Sequence, residues 1–363
     1  MAKAPVKRIN LALQGGGALG AYTWGVLDRI LEDDRLEIAA ISGASAGAMN
    51  GVVLCEALVE GGKDEARVAL RAFWEGIARA GAASPFRRSP LQAMMLSSLG
   101  PLMGEAITTP WTWWWNAVMD ASSPYDSNPL NLNPVGHVLD ALVDFDRVQH
   151  CKSLRLYVAA TNVETGRVRI FTNAEMTARH VLASACLPQM FQAVEIDGAH
   201  YWDGGYMGNP PLFPLFDKPA SRDVMIVQIN PIERPGVPRT AGDIAARVNE
   251  ITFNASLLRE LHAIEFVGRL LDQGRLEEGP YNKMLIHVVS DDAALLPLGA
   301  IAKLNTDSGF FEQLFRIGRM AADRWIDDHF DDLGQKSTVD LREMFQGEVG
   351  PMRTPPGARK PKA

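Results

Sequence analysis

The sequence predicts an α/β protein built on a mainly parallel central sheet, and three observations carry that expectation. A short β-type run, Ile9 to Gln14, passes through a glycine loop into a helix and then reaches a second apolar run, Ile38 to Ile41, which is the order of a βαβ unit. That second run leads at once into Gly43 to Gly47 and an uncharged helical stretch, Ala48 to Cys55. Later apolar strands at Leu154–Asn162, Asp223–Asn230 and Leu285–Val289 alternate with amphipathic helices, so helices cover a sheet of strands that do not follow one another directly.

The elements follow in chain order. Lys3, Lys7 and Arg8 before Ile9–Leu13 imitate the start of a secretory signal, but Asn10 and Gln14 interrupt the apolar run and three glycines end it. A first buried strand is the better reading. Ala21 to Leu31 carries two adjacent apolar rows, Tyr22, Val26, Ile30 and Trp24, Leu27, Leu31, and predicts a helix. Asp64 to Arg79 predicts another, with Ala66, Leu70, Phe73, Trp74 and Ile77 on one side. Residues 81–134 then break the pattern with prolines, serines and the run Trp111-Thr112-Trp113-Trp114-Trp115, which holds half of the chain's 8 tryptophans. Such an insertion either packs its tryptophans on the main body or presents them at an interface, where indole rings are at home; both can hold together. Helix returns at Val135 to Val143. Arg167 to Thr172 reads as the hairpin partner of Leu154–Asn162 across Thr165-Gly166, and Glu175 to Ala185 as a helix stopped before Pro188. Thr240 to Gly274 is a long amphipathic helix with mixed charges, and Phe310 to Trp325 a further one. From Gly347 onward Pro, Lys and Arg dominate, and residues 347–363 predict a disordered tail.

Composition narrows the function. A hydrophobic fraction of 47% and a charged fraction of 22% over 363 residues suit a globular protein with a sizeable core. With a net charge of −7 and no basic run in the body longer than Arg87-Arg88, nucleic acid is not an expected partner. The 3 cysteines, Cys55, Cys151 and Cys186, form neither a disulfide framework nor a zinc spacing, which points to a reducing compartment and a cytoplasmic location. No metal or cofactor is expected.

Two glycine motifs carry the chemistry. In GASAG, Gly43 to Gly47, Ser45 stands between a strand and a helix. A nucleophile there is exposed at a helix N-terminus, and residues without a Cβ are needed on both sides where strand and helix cross. The loop GGGALG, Gly15 to Gly20, matches the G-x-G-x-x-G of dinucleotide sites, which would make the chain an oxidoreductase. That use needs an acidic residue at the end of the second strand. Here the strand ends at Ser42 and runs into the serine turn, while Glu37 precedes it. The alternative is an oxyanion hole: backbone N–H groups of Gly15, Gly16 and Gly17 could meet the negative oxygen formed when Ser45 attacks an ester. Parallel neighbouring strands would set both loops at one carboxyl edge of the sheet. Downstream, Asp203-Gly204-Gly205 reads by itself as a turn. A conventional triad would draw a histidine from His262, His287 or His329. A lipid-docking protein with a dead site is the third class.

GGGALG, GASAG and DGG in this order resemble the patatin-like phospholipase family: its glycine-rich oxyanion loop, nucleophile elbow and Asp-Gly-Gly/Ala motif, over roughly Ile9 to Pro214. The resemblance implies a three-layer α/β/α fold and a Ser–Asp dyad, with Ser45 the nucleophile and Asp203 the base. It implies Gly15, Gly16 and Gly17 at the oxyanion hole and Gly20, Gly43, Gly47, Gly204 and Gly205 as motif glycines. The substrate would be a lipid or other acyl ester. An intracellular polyester or a thioester would suit the same machinery. Leu19 departs from the Arg or Lys that many relatives carry. The expected organisation is a catalytic domain over 8–217, a C-terminal α/β extension with a helical layer over 218–346, and the tail. Peripheral membrane contact is expected through Trp111, Trp113, Trp114 and Trp115.

Overall fold

The structure is a computed structural model that describes residues 6–81, 123–216, 220–279, 281–298 and 300–346. The tryptophan run 111–115 and the tail 347–363 lie outside the described residues.

Eight strands form one sheet: β1 (Lys7–Leu13), β2 (Leu36–Ala44), β3 (Arg155–Asn162), β4 (Val168–Thr172), β5 (Val194–Ile196), β6 (Ala199–Asp203), β7 (Asp223–Val227) and β8 (Leu285–Val289). The order is β5-β6-β3-β2-β1-β7-β8, with β4 also paired to β3. From β3 to β8 every pairing is parallel, while β4, β5 and β6 join antiparallel. Parallel strands must be covered on both faces, because their crossovers put helices there. The burial follows: all five residues of β7 are buried, as are the last five of β1.

The longer helices are α1 (Gly20–Glu32), α2 (Ala46–Glu60), α3 (Gly62–Ala80), α4 (Pro134–Leu142), α5 (Phe145–His150), α6 (Ala178–Ser184), α7 (Ala241–Asp272) and α8 (Ser308–His329). Alternation along the strands sorts them into two layers. Leu11, Leu13, Met225 and Val227 share one core with α1, α2, α3 and α8, where the Trp24 and Phe315 rings meet at a tilt with centres 4.1 Å apart. Ala12, Val224, Ile226 and Ile286 face the other way, against Leu257, Leu261 and Ile264 of α7. The result is the three-layer α/β/α arrangement, with the segment after 220 supplying two strands of the sheet and a helix to each face. Thr240 starts α7 by accepting the Asp243 N–H at 3.1 Å, the N-cap that its position invites.

Local readings differ at several points, among them β7, which ends at Val227 rather than Asn230. β2 runs two residues beyond Ser42, to Ala44, so the serine turn is sharper than the sequence suggests. The helix expected over Glu175–Ala185 is split. A Thr172/Glu175 capping box closes a single 3-10 turn at Asn173–Glu175, Met176 is extended, and α6 begins at Ala178. The stretch before Asp203 is a hairpin, β5–β6, turned by Asp197 (φ 52) and Gly198 (φ 79), the positive-φ pair of a tight two-residue hairpin.

Candidate active site

Ser45 stands where β2 becomes α2. Its φ of 52 and ψ of −124 are unusual for a side-chain-bearing residue, a strained turn that lifts its side chain off the strand end. Strand and helix cross so closely that a Cβ on Gly43 would lie 2.7 Å from the Gly47 backbone, and one on Gly47 would strike the Leu13 carbonyl of β1. Only glycine fits at either place. Ser45 is the N-cap of α2, yet its hydroxyl makes no capping hydrogen bond. Its N–H donates to Ser184 Oγ at the end of α6, 2.9 Å away.

Asp203 ends β6, and the register of β3 brings it to Ser45. Ala159 pairs with Ala44, and the next residue, Ala160, pairs with Asp203. Because Ala160 and Thr161 pair with β4 on one side and β6 on the other, β6 takes over the edge that β2 vacates at the serine turn. Asp203 is 0% exposed. Its Oδ1 accepts the Gly205 N–H at 2.7 Å, and its backbone is held by the Cys186 carbonyl (2.8 Å) and the Thr161 hydroxyl (2.8 Å). Oδ2 is buried without a hydrogen-bond partner. Burial pushes the carboxyl up to about 6, against the Gly205 N–H, the nearby Ser45 hydroxyl and the Lys303 charge, which all favour the ionised form. The same burial pushes the Cys186 thiol up to about 12 and raises Tyr206.

The glycine loop lies against both. A Cβ on Gly15 would meet Ser45 Cβ at 2.7 Å, and one on Gly20 would meet Ala46 Cβ at the same distance. Gly15 N–H is occupied, donating to Asn209 Oδ1 at 2.6 Å. The Gly16 and Gly17 N–H groups make no hydrogen bond among the described residues. Gly17 sits at φ +58, and a Cβ there would run into the Lys303 carbonyl. Gly204 lies on the Ala159 carbonyl and Gly205 under the Phe253 ring, each too close for a side chain.

A buried amide network holds the loop. Gln14 Oε1 accepts from the Ile229 and Asn230 N–H groups, both at 2.9 Å, and Gln14 Nε2 donates to the Asn209 carbonyl and to Asn254 Oδ1, both at 3.2 Å. Asn230 Nδ2 donates to the Gly15 carbonyl at 2.7 Å. Gln14, Ser184, Asn209 and Asn230 are the residues that sequence reading missed. Gln14 and Asn230 follow the carboxyl ends of β1 and β7, the edge where parallel sheets place their sites, and that position was the available signal.

The histidines lie elsewhere. His287 is buried in β8 and bonds Asp223 at 2.9 Å. Asp223 begins β7, four residues before Val227, which is level with Gly43 through Leu13, so the pair lies roughly 13 Å down the sheet. His200 pairs with Glu164 at 2.6 Å, His262 stacks on Phe345, and His329 bonds Asp332 at 3.1 Å. Among the described residues, no group of three or more His, Cys, Asp or Glu could hold a metal, and no helix is long and apolar enough to cross a membrane.

A search of curated proteins finds no match. Among solved structures, the chain is similar to the crystal structure of VipD from Legionella pneumophila, with a TM-score of 0.43 and 15% identity, covering 90% of this chain and 68% of that one. The family model described as Patatin-like phospholipase matches residues 11–216, more than half of the chain and all three motifs. The chain therefore belongs to the patatin-like phospholipase family, and with it to the lipid acyl hydrolases.

Proposed function

We propose that this enzyme hydrolyses acyl ester bonds of lipids through a Ser45–Asp203 dyad. The observation that carries the reading is the β3 register, which sets the turn before Ser45 and the Asp203 carboxylate on consecutive residues, Ala159 and Ala160. Asp203, ionised above about pH 6, takes the Ser45 proton as Oγ attacks the acyl carbonyl. The carbonyl oxygen becomes an oxyanion, and the Gly16 and Gly17 N–H groups, unoccupied among the described residues, supply its backbone donors. Such a donor lowers the barrier by about 3–4 kcal/mol. Collapse of the intermediate breaks the ester C–O bond, and Asp203 returns the proton to the departing alcohol. Water then attacks the acyl-Ser45 ester, giving its proton to Asp203, and Ser45 leaves as the hydroxyl when that proton passes back.

The buried position of Asp203 is what makes a carboxylate strong enough for this work. An exposed aspartate near 3.8 would hold a proton too weakly, whereas one near 6 approaches the operating pH of a general base.

Two further elements of the reading rest on the sequence. Trp111, Trp113, Trp114 and Trp115 meet the lipid–water boundary, where indole rings partition. The 3 cysteines are free thiols and fit a reducing, cytoplasmic compartment.

A panel of phospholipid, neutral-lipid and short-chain acyl esters, run beside Ser45→Ala, tests the proposal. Turnover lost in Ser45→Ala is expected on every active substrate, with a fluorophosphonate probe labelling Ser45 alone. Replacing His200, His262, His287 or His329 by Gln should leave labelling in place in each folded variant. Loss of labelling in a folded histidine variant would show a triad instead.

A further inference from the structure

One charge beside the site belongs to none of the three motifs. Lys303 lies in the 3-10 segment Ala300–Leu304, and its ammonium donates to Asn230 Oδ1 at 2.9 Å and Asn249 Oδ1 at 3.2 Å. Both partners are neutral amides, and it stands 5.7 Å from the centre of the Phe253 ring. The carboxylates whose charge reaches it are Glu250 and Asp203, and Arg234 is the opposing cation. Glu250 is already matched, bonded by Arg234 at 2.6 Å and Arg247 at 3.2 Å. Burial holds the ammonium below its ordinary range.

We propose that Lys303 is a positioning residue for the oxyanion loop, orienting Gly16 through Asn230 and supplying a positive field that GGGALG does not carry. The chain of contacts is short. Lys303 bonds Asn230 Oδ1, and Asn230 Nδ2 bonds the Gly15 carbonyl at 2.7 Å. A cation on the amide oxygen polarises the amide and strengthens its N–H as a donor. The Gly15 carbonyl and the Gly16 N–H belong to one planar trans peptide and point in opposite directions. Anchoring the carbonyl in the Asn230–Asn209 network therefore fixes the Gly16 N–H on the other side. The Lys303 main chain braces the same loop, its carbonyl lying against Gly17. When the oxyanion forms, the donor is already aimed and the nearby charge is positive. The same field favours the ionised form of Asp203, whose other titratable neighbours are Cys186 and Tyr206.

The inference rests on the Ser45–Asp203 reading, and the experiment separates the two. Lys303→Met, Lys303→Arg, Asn249→Asp and Ser45→Ala are compared on a soluble short-chain nitrophenyl ester across pH, with thermal unfolding alongside. Lys303→Met should lower kcat about tenfold or more, as expected for a misaimed oxyanion donor, with KM little changed. Its acid limb should move upward, because Asp203 loses a cation that favoured its ionised form. Lys303→Arg should recover most of the turnover. Asn249→Asp keeps the lysine but offsets its charge, so kcat and the acid limb should shift in the same directions even if Lys303→Met folds poorly. A folded Lys303→Met, or Asn249→Asp, with wild-type kcat and acid limb overturns the inference while a dead Ser45→Ala leaves the dyad standing. Turnover persisting in Ser45→Ala removes the dyad reading and the inference with it.

Discussion

Ala44 and Asp203 are bound to consecutive residues of one strand, Ala159 and Ala160, so β3 sets the spacing between the turn carrying Ser45 and the carboxylate. A β-strand fixes neighbouring positions to within the tolerance of its hydrogen bonds, and reacting groups displaced by about 1 Å lose about a hundredfold in rate. The site is therefore sensitive at Gly204, which follows Asp203 and lies directly on the Ala159 carbonyl. Both sides of that contact are main chain, so neither can give way cheaply. Gly204→Ala should displace Asp203 from Ser45, lower turnover by about a hundredfold and cost about 1–3 kcal/mol of stability as overpacking does. Steady-state kinetics and denaturant unfolding read the two effects separately; wild-type turnover would mean that the carboxylate is held by something other than β3.

Ser184 offers a second handle on the same geometry. Its hydroxyl accepts the N–H of Ser45 itself, at 2.9 Å, and is fully buried. Ser184→Ala leaves that N–H without a partner, a loss of about 1–3 kcal/mol for a buried donor, and frees the strained turn to relax. The expected result is a reduced rate of fluorophosphonate labelling and a lowered melting temperature. Ser184→Thr, which keeps the acceptor, should recover part of both. Equal labelling rates in the alanine variant and the wild type would show that the turn holds Ser45 unaided.

The tryptophan run is tested by the physical state of the substrate. Replacing Trp113, Trp114 and Trp115 by Ser should reduce hydrolysis of micellar lipid by about tenfold or more while a soluble ester is turned over normally, since indole rings favour the interface over water. Equal loss on both substrates, with a lowered melting temperature, would assign these side chains to packing.

Much of this arrangement was legible in the sequence because it depends on short-range necessity. The βαβ start, the parallel sheet, Ser45 at a strand end and the glycines at 43 and 47 follow from periodicity and from the sterics of a crossing. Asp203 was legible only as part of a three-motif resemblance, since one Asp before two glycines is an ordinary turn and the spacing from Ser45 arises in β3, where neither residue lies. Gln14, Asn209, Asn230 and Ser184 were not legible because amides and hydroxyls gain a role only from the partner that folding brings to them. Asn209 meets Gly15 across 194 positions and Ser184 meets Ser45 across 139. Lys303 was hidden for the same reason, in a short 3-10 segment with no periodicity to announce it.

Asp203 should set activity and stability in opposite directions. Folded Asp203 keeps its proton up to about pH 6, because burial opposes the charge, whereas the unfolded carboxyl releases it near 3.8. Between those values the folded state holds more protons than the unfolded one, so this group's contribution to stability is complete below about pH 4 and falls as pH rises through 6. Holding the carboxyl near 6 rather than 3.8 costs the native protein about 3 kcal/mol at pH 7. Asp203→Asn removes the charge but keeps the shape, and its Oδ1 can still accept the Gly205 N–H. The variant should therefore unfold at a higher temperature than the wild type at pH 7 to 8, with the two converging near pH 4. Its turnover should be lower by about 10²–10⁴-fold, the usual contribution of a general base, since the amide cannot take the Ser45 proton. In the wild type, kcat/KM should decline below about pH 6 as Asp203 protonates. Labelling of Asp203→Asn by a fluorophosphonate at the wild-type rate would exclude Asp203 as the base. An acid limb unchanged in position, read from whatever turnover the variant retains, would assign that titration to another group.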